Sequence, residues 1–222
     1  MVIAIDGPGG VGKSTVSRRV AAAIGYPHLD TGSTYRAAGL LALRSGAELA
    51  DAEAVVDAIR AAAITIESGA VAVDGVDVSE ELRSDKVTSA SSTVAAHPEV
   101  RAGIVELQRS WVADHGGSAV VEGRDIGTVV FPGAHVKIYL TARPEVRAAR
   151  RANDAEAASK TLEQIADELA TRDHADSTRA TSPLRPADDA IIVDTSDLGI
   201  DEVVEAILEV IAQAIANLRC GD

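Results

Sequence analysis

The chain has 222 residues, of which 46% are hydrophobic and 2% aromatic, and its formal net charge is -13 from 34 acidic and 21 basic residues. This length suits one α/β domain with insertions, and the negative charge argues against binding to nucleic acid polymers or anionic membranes, which would repel it. A single cysteine, Cys220, excludes a disulfide or a Cys-based zinc site within one chain. Met1 leads into an apolar segment without a basic leader, and no apolar run reaches membrane-spanning length, so we expect a cytoplasmic protein.

Apolar runs and helical periodicity alternate along most of the chain. Short runs rich in Val and Ile predict buried parallel strands, and apolar residues at a spacing of three and four predict helices. In chain order, the predicted elements are strand 2–6, helix 13–24, strand 26–30, helix 34–43, helix 52–63, a helix from Pro98, strand 118–121, strand 136–140, a helix from Pro144, helix 161–171, strand 190–194 and helix 201–218.

One segment departs from this alternation. Residues 64–78 contain short alternating runs, and the Asp74-Gly75 dipeptide between two of them is a hairpin signal. We therefore predict a small antiparallel β insertion there.

The remaining strand–helix alternation predicts an α/β fold with a doubly wound parallel sheet of five strands, whose ligands bind beyond the carboxyl ends of the strands. In the helix from Pro98 we expect an apolar face in the core, made of Val100, Ile104, Leu107 and Trp111.

The most specific motif lies between the first strand and the first helix. Residues 7–14 fit the pattern G-x-x-x-x-G-K-[ST] in full, in the strand-to-helix context that the pattern requires. Glycines let backbone N–H groups surround a phosphate chain, Lys13 can reach the β- and γ-phosphates, and the Ser14 hydroxyl can bind Mg²⁺. The predicted ATP-binding residues are Gly7, Pro8, Gly9, Gly10, Val11, Gly12, Lys13, Ser14 and Thr15.

A phosphate-binding loop alone does not distinguish an enzyme from a nucleotide-dependent switch. No N-K-x-D motif for guanine is present, and a motor or transporter ATPase would be longer, so a small-molecule kinase is the leading hypothesis. Eight of the 21 basic residues also fall between Arg143 and Arg185, about twice the average density. These arginines either bind phosphates or form a solvated helix face with ion pairs.

Four further segments carry a family resemblance. They are Asp30-Thr-Gly-Ser-Thr-Tyr-Arg36, Val94-Ala-Ala-His-Pro-Glu-Val-Arg101, Gly123-Arg-Asp-Ile-Gly-Thr-Val-Val-Phe-Pro132, and Arg172-Asp-His-Ala-Asp-Ser-Thr-Arg179 with the following Ser182-Pro-Leu-Arg-Pro186. Together with the phosphate-binding loop, they resemble bacterial cytidylate kinases of the nucleoside monophosphate kinase superfamily. The resemblance covers nearly the whole chain.

The resemblance implies a P-loop NTPase-type core over 1–31, 84–142 and 187–222, an NMP-binding insertion over about 32–83 and a helical lid over about 150–180. It implies transfer of the γ-phosphate of ATP to CMP or dCMP, with Mg²⁺, by a monomer acting in pyrimidine metabolism. The implied catalytic residues are Lys13, Arg124, Arg172 and Arg179, and Arg150 is implied to contact ATP. The implied substrate-binding residues are Thr31, Tyr35, Arg36, Ser92, Arg101, Arg124, Asp125, Arg172, Asp176 and Arg179.

Elementary chemistry agrees with these roles. A carboxylate such as Asp125 can accept from the N4 amino group of cytosine, while Arg101 and Ser92 can donate to its acceptor edge. Uracil would leave the same groups unpaired, so we expect it to be rejected. The acceptor phosphate is a dianion above its second pKa of about 6, so transfer requires no strong general base.

Structural alternatives exist for several of these residues. Arg124 and Asp125 could form a local ion pair, Tyr35 could belong to the core, and Ser91 could replace Ser92 as a contact. Arg172, Asp176 and Arg179 could form a helix-surface ladder. Alternative acceptors are UMP, AMP or a small metabolite such as shikimate.

One position departs from the family pattern. Glu122 stands where cytidylate kinases usually carry aspartate, and its longer side chain would alter any role in holding hydrated Mg²⁺. We therefore assign it no role from the sequence. Asp30 is a candidate for orienting metal-bound water.

Overall fold

Two compact units make up the chain in the computed structural model, which describes residues 1–67, 69–153 and 160–220. The P-loop unit comprises Met1–Leu29 and His115–Asp222, and the middle unit comprises Asp30–Asp114. The strands of the whole chain, in order, are β1 (Val2–Asp6), β2 (His28–Asp30), β3 (Ile64–Glu67), β4 (Ala70–Val73), β5 (Val76–Asp77), β6 (Ala119–Gly123), β7 (Val136–Thr141) and β8 (Ile191–Asp194). Its α-helices are α1 (Lys13–Ile24), α2 (Thr31–Ser45), α3 (Ala52–Arg60), α4 (Asp85–Val94), α5 (Pro98–Asp114), α6 (Pro144–Ala152), α7 (Leu162–Thr178) and α8 (Ile200–Cys220).

A parallel sheet forms the centre of the P-loop unit. In the described part of the chain it has five strands in the order β2-β6-β1-β7-β8, which confirms the predicted sheet. β1 pairs in parallel with both β6 and β7, and its residues Ile3, Ala4 and Ile5 are fully buried. Continuous apolar runs of this kind are expected for strands that are covered on both faces.

Helices α1 and α8 pack against this sheet. Val16 and Val20 on α1, and Ile207 and Ile211 on α8, share one buried cluster with strand residues such as Leu140. The first helix begins immediately after Gly12, whose φ of 92° is in the left-handed region that glycine adopts without strain. The P-loop thus ends at a helix N-terminus that the core holds in place.

The middle unit contains the predicted antiparallel insertion. Its sheet has the order β3-β4-β5, and the turn between the last two strands has positive φ at both Asp74 and Gly75, as the hairpin signal requires. Ser68, between the first two strands, lies outside the described residues. The Trp111 Nε1–H of α5 donates to the Ile66 carbonyl oxygen at 2.8 Å and so connects this small sheet to the longest helix of the unit.

Several element boundaries differ from the sequence-based expectation. The α2 helix begins at Thr31 rather than at Thr34, so its predicted start is wrong by three residues. The seventh helix continues to Thr178 rather than ending near residue 171, because its interior has no Gly or Pro to stop it. The helix α4 was not predicted at all, since its run of Ser, Thr and Ala carries little apolar periodicity.

The glycine-rich segment over residues 122–133 also has more regular structure than a loop. Glu122 and Gly123 complete the strand, and Ile126–Val130 form a single π-helical turn. Such turns are rare and are often found at functional sites. In α5, Val100 and Ile104 are buried as expected, but Leu107 and Trp111 are only partly buried and Gln108 is fully buried.

None of the helices in the described ranges is both long and apolar enough to cross a bilayer.

Gly39 provides a test of the packing between α2 and α4. A Cβ atom at this position would lie 2.8 Å from the Ser91 backbone nitrogen, so Gly39→Ala must push the two helices apart. We expect a loss of roughly 1–3 kcal/mol in unfolding free energy, measured by urea denaturation. Gly103→Ala in α5 is the matched control, because a Cβ there meets no atom within 4 Å and should stabilise by about 0.4–1 kcal/mol. Equal stability gains in both variants would contradict the proposed close packing.

Candidate active site

The phosphate-binding loop fills the turn between β1 and α1. Gly7, Gly10 and Gly12 all have positive φ, which side-chain-bearing residues rarely adopt. A Cβ at Gly7 would also overlap the Leu140 carbonyl oxygen of β7. Only glycine therefore fits at the start of the loop. A backbone of this shape followed by a helix N-terminus can present several N–H groups to an anion.

Lys13 lies within this loop. Its Nζ donates to the Pro8 carbonyl oxygen at 2.6 Å. Burial and then the nearby Arg124 guanidinium lower the pKa of Lys13 to about 7, although Glu122 and Asp6 oppose that shift. The positive charge of Arg172 makes a smaller contribution that also lowers the pKa of Lys13.

Ser14 and Glu122 form the part of the site that suits a cation. The Ser14 Oγ–H donates to Glu122 Oε2 at 2.9 Å, and Glu122 is only 2% exposed at the end of β6. Because the hydroxyl hydrogen is directed to the carboxylate, the lone pairs of Ser14 Oγ can face a metal ion. Within the described ranges there is no group of three or more His, Cys, Asp or Glu residues able to hold a metal. Mg²⁺ does not need one, since it keeps several waters and binds through few protein ligands plus substrate phosphates.

Asp6 fixes the segment that carries Arg124 and Asp125. Its carboxylate accepts the backbone N–H groups of Ile126 at 2.8 Å and Gly127 at 2.7 Å. Burial, with a smaller effect of Asp125, raises the pKa of Asp6 to about 6, although the two N–H donors oppose the shift. A buried carboxylate at the end of β1 thereby holds the first turn after β6.

Asp173 joins the loop to two arginines. Its Oδ1 accepts from the Gly9 backbone N–H at 3.4 Å and from Arg124 Nη1 at 3.3 Å, while its Oδ2 pairs with Arg147 Nη2. The Arg147 Nε–H in turn donates to the Gly9 carbonyl oxygen at 2.6 Å. An anionic group thus occupies donors of the kind that bind phosphate.

Asp176 extends this cluster. It pairs with Arg124 Nε at 3.4 Å and with Arg179 Nη1 at 3.5 Å. The Arg179 Nη2–H also donates to the Ser182 carbonyl oxygen at 3.1 Å. Of the three residues that the sequence singled out as a helix ladder or a ligand group, Asp176 pairs with Arg124, and Arg179 joins the cluster through Asp176.

Two other predicted residues of the P-loop unit have different surroundings. Arg150 donates to Thr195 through Oγ1 at 2.8 Å and through the carbonyl oxygen at 2.6 Å, and to the Val11 carbonyl oxygen at 3.4 Å. It therefore connects the end of β8 to the phosphate-binding loop. Asp125 is 3% exposed and lies directly before the π-helical turn.

The middle unit holds the remaining predicted residues. The Arg101 guanidinium lies 5.1 Å from the centre of the Tyr35 ring, and it is 4% exposed and donates to the Ala95 carbonyl oxygen. Arg36 pairs with Asp30 at 2.8 Å. Within this unit the structure thus brings Tyr35 and Arg101 into contact.

Thr31 and Ser92 differ in exposure. Thr31 is buried in the first turn of α2, whereas Ser92 is exposed and donates to the Thr88 carbonyl oxygen. Ser91, its sequence alternative, is 2% exposed and donates to the same carbonyl oxygen. Of the two hydroxyls, that of Ser92 is the more accessible to a ligand.

Sequence reasoning did not identify Asp6, His28 or Asp173 as site residues. A detectable signal existed for Asp6, a charged residue at the end of an otherwise apolar strand, and for Asp173, which is three residues before Asp176 on the same helix. His28 carries no such signal, because its partners lie on other elements.

The parallel sheet and the complete loop at the end of β1 define a P-loop phosphate-binding protein. Residues 3–213 match the family model described as cytidylate kinase. The chain is 50% identical to the cytidylate kinase of Rhodococcus opacus, over 96% of this chain and 95% of that protein, and 43% identical to that of Methylocella silvestris, over 100% and 98%. This chain belongs to the cytidylate kinase family. The solved structure of TT1252 from Thermus thermophilus shares the fold, with a TM-score of 0.50, 19% identity, and coverage of 96% of this chain and 97% of that chain.

Asp173 should compete with nucleotide phosphates for the Gly9 N–H and the arginines. We expect Asp173→Asn to bind ATP·Mg²⁺ about tenfold more tightly in calorimetric titration, equivalent to about 1.4 kcal/mol. Asp197→Asn is the matched control: it also loses an arginine pair, with Arg143, but its side chain is 79% exposed, and ATP affinity should not change. Weaker ATP binding by Asp173→Asn would instead show that this carboxylate mainly holds the arginines in position.

Proposed function

We propose that the chain transfers the γ-phosphate of ATP to CMP or dCMP, giving ADP and CDP or dCDP in pyrimidine nucleotide metabolism. The observation that carries the proposal is the cationic phosphate-binding cluster of the P-loop unit, in a chain 43–50% identical to curated cytidylate kinases over nearly its full length. We also propose that the protein is cytoplasmic. By analogy with lid-type kinases, which work as one hinged unit, we propose that it is a monomer.

In this proposal, ATP binds with its phosphates in the loop formed by residues 7–15. Lys13 exchanges the Pro8 carbonyl oxygen for phosphate oxygens, a better partner for its ammonium. Ser14 would hold Mg²⁺, which supplies charge neutralisation at the phosphate oxygens. Glu122, which received no role from the sequence, would orient the Ser14 hydroxyl.

Transfer itself requires positioning and charge stabilisation. The acceptor phosphate oxygen is already ionised near neutral pH, so no residue has to remove a proton. Arg124, Arg172 and Arg179 would stabilise the charge that spreads over the transferred group in a loose transition state. The segment over about 150–180 is assigned as a lid that excludes water, although residues 154–159 lie outside the described residues.

Recognition of the acceptor is assigned residue by residue. Asp125 accepts from cytosine N4, and Ser92 and Arg101 donate to its acceptor edge. Tyr35, Arg36 and Thr31 are assigned to the phosphate and sugar of the monophosphate, as is Asp176. Residues 32–83 are assigned as the NMP-binding insertion.

The test of this function is ADP release measured with ATP·Mg²⁺ and a panel of CMP, dCMP, UMP, AMP, GMP and shikimate. We expect high kcat/KM for CMP and dCMP and low values for the other acceptors. Preferred turnover of another acceptor would move the chain to a different P-loop kinase specificity. Tight nucleotide binding without turnover of any acceptor would favour a nucleotide-dependent switch.

Asp125 tests the base-reading model separately. We expect Asp125→Ala to lower kcat/KM for CMP by about 10- to 100-fold, the cost of one lost charge-assisted hydrogen bond, while the calorimetric affinity for ADP remains unchanged. Asp125→Asn should in addition narrow the gap between UMP and CMP, because its amide can donate to uracil O4. An unchanged CMP rate in both variants would refute the assignment.

A further inference from the structure

Four side chains form a hydrogen-bonded chain beneath the phosphate-binding loop. The Ser17 Oγ–H donates to the Lys13 carbonyl oxygen at 2.7 Å, and Ser17 Oγ lies 3.0 Å from His28 Nε2. The same His28 Nε2 is 3.1 Å from Glu122 Oε1, and Glu122 Oε2 accepts from Ser14 Oγ at 2.9 Å. Because Lys13 and Ser14 are consecutive, this series of hydrogen bonds begins and ends in the first turn of α1. The side chains of His28 and Glu122 are only 12% and 3% exposed.

The donors and acceptors in this chain can be assigned. A serine hydroxyl has one hydrogen, and that of Ser17 goes to the Lys13 carbonyl oxygen, so Ser17 Oγ must act as an acceptor towards His28. Glu122 Oε1 is an acceptor when ionised. Both neighbours of His28 Nε2 therefore accept, and Nε2 must carry a hydrogen that it shares between them. In the neutral imidazole of His28, the single ring hydrogen is therefore on Nε2.

From this geometry we infer that His28 is a positioning residue of the Mg²⁺-nucleotide site. Its Nε2–H fixes one oxygen of Glu122, so that the other oxygen takes the Ser14 hydrogen and leaves the Ser14 lone pairs available to the cation. The hydrogen bond from His28 also explains how glutamate can replace aspartate at position 122. Glutamate has one more methylene group, so its carboxylate is harder to hold in one orientation. The inference rests on the proposed function only in assuming that Ser14 binds the metal of a bound nucleotide.

The experiment measures metal binding directly. Mn²⁺ is titrated into enzyme saturated with ADP and followed by electron paramagnetic resonance, and metal-free ADP affinity is measured by calorimetry. We expect His28→Leu to weaken Mn²⁺ binding about tenfold, as is typical when an outer-shell partner is lost, without changing metal-free ADP affinity. His28→Gln should restore most of the affinity, because its amide can donate to Glu122.

Two further variants separate the proposed role from a general packing effect. His135→Leu removes a histidine contact at an exposed position, with the Val2 N–H of β1, and should leave Mn²⁺ affinity unchanged. In a Glu122→Ala background, which removes both acceptor oxygens, His28→Leu should have no additional effect, because His28 acts through that carboxylate. If His28→Leu does not fold, His28→Asn is compared with His28→Gln, and only the shorter amide should weaken Mn²⁺ binding.

The inference is overturned if His28→Leu and His135→Leu give the same Mn²⁺ affinity, or if metal-free ADP binding falls in parallel with metal binding. It is equally overturned if His28→Leu lowers affinity by the same factor with and without the Glu122→Ala change. Failure of the proposed function is distinguishable, because it would appear as absent acceptor turnover in the unmodified chain while the Mn²⁺ result still stands.

Discussion

The parallel pairing of β1 with β6 is the constraint on which the site depends. In this register Ile5 lies beside Glu122 and Asp6 beside Gly123, so the two strands end together. The phosphate-binding loop leaves one strand and the Arg124-Asp125 segment leaves the other at the same edge of the sheet. A shift of two residues in the pairing would keep the apolar faces buried but would separate Ser14 from Glu122 and Asp6 from the N–H groups of Ile126 and Gly127.

Burial of two carboxylates at these strand ends has an energetic cost that their partners offset. Asp6 receives two backbone N–H groups, and Glu122 receives a hydroxyl and an imidazole. Buried acids without such donors would be protonated or would destabilise the fold. The pKa of Asp6, raised to about 6, shows that the compensation there is incomplete, because desolvation outweighs the two hydrogen bonds. The site therefore keeps its shape through donors from the backbone, from Ser14 of α1 and from His28 of β2, rather than through surface ion pairs.

A strongly acidic chain also has to gather positive charge where phosphates bind. Arg124, Arg147 and Arg179 are interleaved with Asp173 and Asp176, which screen the arginines from one another. This arrangement explains how a protein with a net charge of -13 maintains a cationic cluster. It also means that a phosphate gains less from these arginines than their number suggests, since it must replace a carboxylate at the Gly9 N–H. The number of arginines alone is thus a poor measure of nucleotide affinity.

The elements with strong local signals could be predicted from the sequence. Five strands, the Asp74-Gly75 hairpin and the P-loop depend on patterns within a few residues, and the structure contains all of them. The start of α2 and the whole of α4 were missed, because packing rather than local periodicity determines them.

The role of Glu122 shows why the site is harder to predict than the fold. Judged alone, glutamate at this position looks like a poor replacement for aspartate. Its carboxylate is nevertheless fixed by His28, which lies 94 residues earlier in the chain. A residue-by-residue comparison with a family pattern cannot detect such a compensation, because neither residue is unusual until the sheet brings β2 and β6 together. The role of this position therefore depends on the pair of residues, Glu122 and His28, and not on Glu122 alone.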